Sequence, residues 1–180
     1  MSPVARFAPI VAALGVLVVD HATKWLAVRY LKGAPPVSII PGCFHLRYAE
    51  NTGAAFSMFS GQPLLLTLIS TAALGGIVGW FLSTPPSERL VRLCQGLIIG
   101  GAAGNLIDRY TRGSVVDFID WHWKDVYHWP TFNIADSAIF VAVWTLVVYF
   151  LFLARRDASH MNEKNGAGPI PTTPSSSGKS

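Results

Sequence analysis

The sequence predicts a mainly α-helical membrane protein, a four-transmembrane-helix bundle with a small extracytoplasmic β-structure between helices 1 and 2. Three observations predict it. Of 180 residues, 51% are hydrophobic and 13% charged, against the ~25% charged share of a soluble domain, and mean hydropathy is +0.41. Four apolar stretches reach or approach the ~20 residues that cross a hydrocarbon core. The segments between them carry turn formers and interfacial aromatics rather than further apolar runs.

The first span is predicted from Phe7 to Val28. It follows Arg6 like a cleavable leader, but its apolar part runs on into Asp20, His21, Lys24 and Trp25 without a small-residue cleavage site, and leader cores are only ~7–15 residues long. The segment after it is broken by Pro35, Pro36 and Pro41-Gly42, and then alternates Phe44, Leu46 and Tyr48 with His45 and Arg47. That is a strand period. Spans two and three are predicted over Pro63–Leu82 and Leu90–Ile107. The short Pro85-Pro86 turn between them makes them antiparallel neighbours. Gly75 and Gly79, and Gly96, Gly100 and Gly104, recur at helical spacing, which lets backbones approach closely in lipid. From Asp108 to Asn133 the chain holds Trp121, Trp123, Tyr127 and Trp129, the residues of a membrane–water interface. The fourth span is predicted over Ile134–Leu153. Residues 1–160 read as one membrane-embedded domain. Residues 161–180, rich in Gly, Pro, Ser and Thr, cannot bury a core and read as a disordered tail.

Four spans put both termini on one side. That side carries Arg6, Arg89, Arg92, Arg155, Arg156, Lys164 and Lys179; the other carries Lys24, Arg29, Lys32, Arg47, Arg109, Arg112 and Lys124. The raw count is even, but Arg89, Arg92, Arg155 and Arg156 abut helix ends, which favours cytoplasmic termini. The net charge of +4 then belongs to the loops and ends of a membrane protein. Without a basic stripe interleaved with aromatics, nucleic-acid binding is not expected. Cys43 and Cys94 lack metal-ligand spacing.

The acids are uneven. Asp20, Glu50, Asp108, Asp117, Asp120, Asp125 and Asp136 all fall opposite the termini. Ionisable groups within or beside a span usually serve function. Asp20 has Lys24 four residues on, the favourable order for a helical ion pair. Asp117 is flanked by Val115-Val116 and Phe118-Ile119, and Asp136 opens the fourth span; neither has a Lys or Arg within four residues. Two such carboxylates in a partly dry site share a proton, so that one activates water and the other protonates a departing amine. The sequence separation does not itself bring them together, although both lie at the outer ends of adjacent segments. Competing chemistries lack parts: there is no G-x-S-x-G and no H-E-x-x-H. Asp117, His122, His128 and Asp136 have metal-ligating atoms, but the histidines lie among interfacial aromatics, and no metal is expected. A proton-coupled carrier would also use intramembrane carboxylates, but the spans show no inverted repeat.

Five blocks occur in order: Asp20-His21-x-x-Lys24; Asn51-Thr52-Gly53-Ala54-Ala55-Phe56; Gly104-Asn105-Leu106-Ile107-Asp108-Arg109; Val115-Val116-Asp117-Phe118; and Phe132-Asn133-Ile134-Ala135-Asp136. Together they resemble the bacterial lipoprotein signal peptidases (signal peptidase II). The resemblance implies a cofactor-free aspartic endopeptidase that cuts prolipoproteins before a diacylglyceryl-cysteine. It implies Asp117 and Asp136 as the catalytic pair, Asn51, Asn105, Arg109 and Asn133 as substrate-binding, and Asp20, Lys24, Gly53, Gly104 and Asp108 as supporting. It further implies a multi-pass protein of the bacterial inner membrane with its site at the periplasmic face. The expected partners are lipid-modified prolipoproteins, membrane lipids and globomycin-type cyclic peptide inhibitors, with the chain itself a monomer.

Overall fold

The computed structural model describes residues 3–53, 62–124 and 126–166. Ala54, Ala55 and Phe56 of the second block, Asp125, and the tail from residue 167 lie outside the described residues. The element order is α1 (Pro3–Tyr30), β1 (Val37–Ile40), β2 (Phe44–Asn51), α2 (Pro63–Ser83), α3 (Arg89–Arg112), β3 (Val115–Trp123), β4 (Tyr127–His128) and α4 (Ile134–Gly166). Each helix is long and apolar enough to cross a membrane. Helix α4 continues beyond the predicted span end at Leu153, into the first residues of the segment read as a tail. The chain divides into two compact units, Met1–Leu146 and Val147–Ser180, with the boundary inside α4. In the second unit the Tyr149 and Phe150 rings meet edge to face at 5.5 Å.

Helix α3 is the central span. Half of its apolar window is buried, against 17% for α1 and 11% for α2. Glycine makes this possible. A Cβ on Gly96 would collide with the Pro9 carbonyl of α1, and one on Gly100 with the Ala13 carbonyl. On another face, a Cβ on Gly101 would lie 2.6 Å from the Ala135 carbonyl oxygen of α4. The predicted small-residue stripe on α3 is therefore a contact surface for backbone on α1. The stripe on α2 is not: a Cβ on Gly75 or Gly79 would meet nothing within 4 Å among the described residues. Val11, Leu14 and Val18 on α1 and Leu64, Leu68 and Leu82 on α2 are exposed, as lipid-facing side chains must be. Pro63 opens α2, where its missing N–H is no loss. The α2–α3 turn is held by Arg92, whose Nη1 donates to the Thr84 carbonyl at 2.6 Å, and by Gln95, whose Nε2 donates to Thr84 Oγ1 at 2.8 Å. Gly113 (φ 74°) ends α3 in the left-handed conformation, with its N–H on the Arg109 carbonyl.

The extramembrane β-structure is larger than the sequence predicts. It is an antiparallel sheet in the order β1-β2-β3-β4, so the α3–α4 connection contributes two strands to it. That connection reads as an aromatic loop because β3 lacks a clean polar alternation. Asp117 and Asp120 lie on opposite faces of the strand, and both are buried. Ala49 of β2 pairs with Asp117, Asn51 with Val115, and His45 with Asp120, across an irregularity between Leu46 and Ala49. Val116 and Phe118 pack with Ala27 of α1, which anchors the sheet on the bundle. The Phe132 carbonyl accepts from the Ile119 N–H at 2.9 Å, so the chain entering α4 is bound to the same strand.

Candidate active site

The N-terminus of α4 is built around Asn133. Its side-chain oxygen accepts the Asp136 N–H at 2.9 Å, and the Asp136 Oδ2 accepts the Asn133 N–H at 3.3 Å. This is a reciprocal capping box, with Asp in the place usually held by Glu or Gln. The same asparagine donates from Nδ2 to Asp117 Oδ1 at 2.7 Å. Asn51 Nδ2 donates to Asp117 Oδ2 at 3.0 Å, and Asn105 Nδ2 donates to Asp136 Oδ1 at 2.7 Å. Three asparagines from β2, α3 and the start of α4 thus supply a donor to every carboxylate oxygen of Asp117 and Asp136. The fold brings together two acids that the sequence separates.

Beneath them lies an ion cluster. Lys24 Nζ is 2.8 Å from Asp20 Oδ2 and 3.0 Å from Asp108 Oδ2, and it donates to Asn105 Oδ1 at 2.8 Å. Lys24, Asp20 and Asp108 are at most 1% exposed. Burying three charges is tolerable only because opposite charges and hydrogen-bonding groups meet them. Asp20 Oδ1 accepts the Ala135 N–H of α4 at 2.9 Å. Asp108 accepts the Val116 N–H at 3.3 Å and lies 3.5 Å from Arg112. The cluster therefore ties α1, α3, β3 and α4 together and fixes Asn105. Gly104 leaves room for it, since a Cβ there would lie 2.6 Å from Asp20 Oδ2.

Asp117 is 1% exposed, and its carboxyl is pushed up from the ordinary 3.8 to about 7. Burial is the main cause and the nearby Asp136 charge the next; the Asn51 and Asn133 amides and the Lys24 charge pull the other way. Asp136 is half-buried and lines a cleft of 1160 Å³, together with Asn51, Asn105 and Arg109. The opposite character comes from Phe140, Val141 and Trp144 of α4 and from Trp121 and Trp129. The lining is thus mixed, with polar groups beside Asp136 and a set of large apolar side chains. The Arg109 guanidinium reaches toward the Gly53 carbonyl at 3.5 Å, and the Gly53 N–H is held by Asn51 Oδ1 at 3.0 Å. Glu50 at the cleft edge is fixed by Tyr48 at 2.6 Å and Lys32 at 3.0 Å, which hold its carboxyl below the usual range.

Among the described residues, Asp117, His122 and Asp136 do not form a group of metal-ligating atoms. His122 lies with His45 and Asp120, their ligand atoms within 4.8 Å of one another, and the His128 side chain lies outside the described residues. Nothing in the spacing of His45 and Asp120 signals their meeting, which depends on strand register.

A family model described as signal peptidase (SPase) II matches residues 12–152. The chain is 40% identical over 148 residues to the lipoprotein signal peptidase of Symbiobacterium thermophilum, a match covering 82% of this chain and 96% of the relative. It is 44% identical over 148 residues to that of Geobacter sulfurreducens, covering 81% and 92%. A solved structure described as a bacterial membrane enzyme is similar with a TM-score of 0.71 and 26% identity, over 92% of this chain and 94% of the other. A second, also described as a bacterial membrane enzyme, gives 0.70 and 30%, over 79% and 92%.

Proposed function

The chain belongs to the signal peptidase II family and removes signal peptides from prolipoproteins, and we propose that it does so as an aspartic endopeptidase in which Asp117 and Asp136 activate water. The observation that carries this reading is the asparagine frame. Asn133 donates to Asp117 and caps the turn that holds Asp136, so one side chain fixes both carboxylates. At neutral pH such a pair keeps one proton between its members. The ionised carboxylate takes a proton from water as the oxygen attacks the scissile carbonyl. The protonated one then donates to the amide nitrogen as the C–N bond breaks, leaving a new carboxylic acid and a free amine.

The substrate is a prolipoprotein cut before its diacylglyceryl-cysteine. Its apolar signal helix and acyl chains lie against the Phe140, Val141 and Trp144 wall of the cleft, with the scissile bond at the depth of Asp136. Asn51, Asn105 and Arg109, which line the cleft, hold the peptide backbone, while Asn133, expected from sequence to bind substrate, is fully buried and frames the two acids instead; Asp20, Lys24, Gly53, Gly104 and Asp108 support them. Globomycin-type cyclic peptides occupy the same cleft. The protein works as a monomer in the bacterial inner membrane, without a cofactor. Its termini are cytoplasmic and the sheet and dyad lie at the periplasmic face, where interfacial Trp121, Trp123, Tyr127 and Trp129 are exposed.

The test is accumulation of lipid-modified, uncleaved precursor when Asp117→Asn or Asp136→Asn is the only enzyme present. Each should lower the rate by more than the ~10²–10⁴-fold typical of losing one general acid or base. The double variant should be little worse than either single one. Near-normal processing by a stable single variant removes that residue from the chemistry.

A further inference from the structure

Away from the dyad, the extramembrane sheet gathers a second set of donor atoms. His45 on β2 is the direct partner of Asp120 on β3, and His122 follows two residues on, hence on the same face as Asp120. The His45 and His122 rings are 4.0 Å apart between centroids, tilted by 48°. One nitrogen of each ring and one Asp120 oxygen lie within 4.8 Å of one another. Asp120 and His122 are buried at 2% and 6% exposure, while His45 is half-buried and leaves one side open. Asp117 falls on the opposite face of β3 by strand alternation, so this set is separate from the peptidase site.

We propose that His45, Asp120 and His122 form a binding site for a single divalent transition-metal cation of zinc-like preference, clasping β2 to β3. Two imidazoles and a carboxylate are a common three-residue ligand set for such an ion, with water taking the fourth, open position. Bonds of ~2.0–2.2 Å to the ion require the three donor atoms to close in by a fraction of their present spacing. Rotation of the half-buried His45 ring supplies that movement. The Arg47 Nε lies 3.3 Å from Asp120 Oδ2. It orients the ligand, as second partners of metal-binding carboxylates do. The backbone around the set is already fixed: the His122 N–H donates to the Cys43 carbonyl at 2.9 Å, and Phe44 stacks on Trp121 at 5.3 Å. The metal's role is to hold the sheet, not to take part in cleavage.

The experiment uses the full chain in detergent, carrying an affinity tag without histidine, stripped with EDTA and desalted. Zinc or cobalt(II) is then titrated, with bound metal counted by elemental analysis and the thermal midpoint recorded. One ion per chain, a raised midpoint and visible cobalt bands typical of mixed nitrogen and oxygen ligation are expected. His45→Ala should bind at least tenfold more weakly and lose the metal-dependent rise in midpoint, while His21→Ala, on α1, should behave as the parent does. His45 is half-buried, so its variant folds; His122→Ala serves as a second probe where it folds. Absence of stoichiometric binding, or binding unchanged in His45→Ala, overturns the proposal.

Discussion

Replacing Asp117 by Asn is expected to end cleavage while stabilising the fold above neutral pH. In the folded chain the Asp117 carboxyl titrates at about 7 against an ordinary 3.8. Between those values the folded state keeps a proton that the unfolded state has released, so stability falls as pH rises through that window and is level above it. At ~1.4 kcal/mol per pH unit the whole fall is about 4 kcal/mol. Asparagine does not titrate and escapes it. Against this, Asn51 and Asn133 both donate to Asp117, and an amide offers an acceptor to only one of them. The stranded donor costs about 1–3 kcal/mol at any pH. The variant should therefore be within about 1.5 kcal/mol of the parent at pH 5, and more stable by about 1–3 kcal/mol at pH 8. At ~2–4 °C per kcal/mol, the difference in thermal midpoint should move in the variant's favour by about 5–10 °C between those pH values. The assay is a pair of melting curves in detergent at each pH, with the fitted value belonging to the coupled pair rather than to one residue. A difference that does not change with pH refutes the reasoning, because Asp117 would then titrate alike in folded and unfolded chains.

Other outcomes follow from the packing. Gly100→Val should strip folded protein from the membrane, since its side chain would enter the Ala13 backbone, whereas Gly79→Ala should be tolerated because space is open there; membrane protein level and thermal midpoint separate the two. Lys24→Met leaves Asp20 buried without its cation and Asp108 with only the more distant Arg112, and should cost about 3–5 kcal/mol, read as a sharply lower midpoint. Arg109→Ala should lower the cleavage rate with the protein still inserted; loss of the protein itself would make Arg109 a structural residue instead.

The four spans were legible because lipid demands long apolar runs, and Phe7, Pro63, Leu90 and Ile134 mark starts that the helices respect within a few residues. Strand β2 was legible from the alternation of Phe44, Leu46 and Tyr48. Strand β3 was not, because Asp117 and Asp120 are buried on opposite faces and erase the pattern that marks a strand. Gly96 and Gly100 kept the meaning their spacing suggested, while Gly75 and Gly79 have the same spacing and no partner backbone; spacing states that close approach is possible, not that a neighbour is there. Asp117 and Asp136 stood out by their apolar surroundings. What the sequence could not convey is the frame between them: Asn51, Asn105 and Asn133 come from three elements whose meeting depends on strand register and on the docking of α4. The His45–Asp120 pairing was hidden for the same reason.

The capping of α4 also bears on when the enzyme becomes active during its own synthesis. Asp117 leaves the ribosome with the sheet, but Asp136 and Asn133 arrive only with the fourth span. Asn133 bonds Asp117 through the same side chain that closes the first turn of that span, and Asp20 on the first span accepts the Ala135 N–H within that turn. A nascent chain with three spans inserted therefore has Asp117 without Asp136 or the Asn133 amide that holds it. With Asp117 and Asp136 as the proposed pair, hydrolytic competence is expected only once the fourth span docks and its N-terminal turn closes, so a half-assembled molecule should leave the precursors around it uncut.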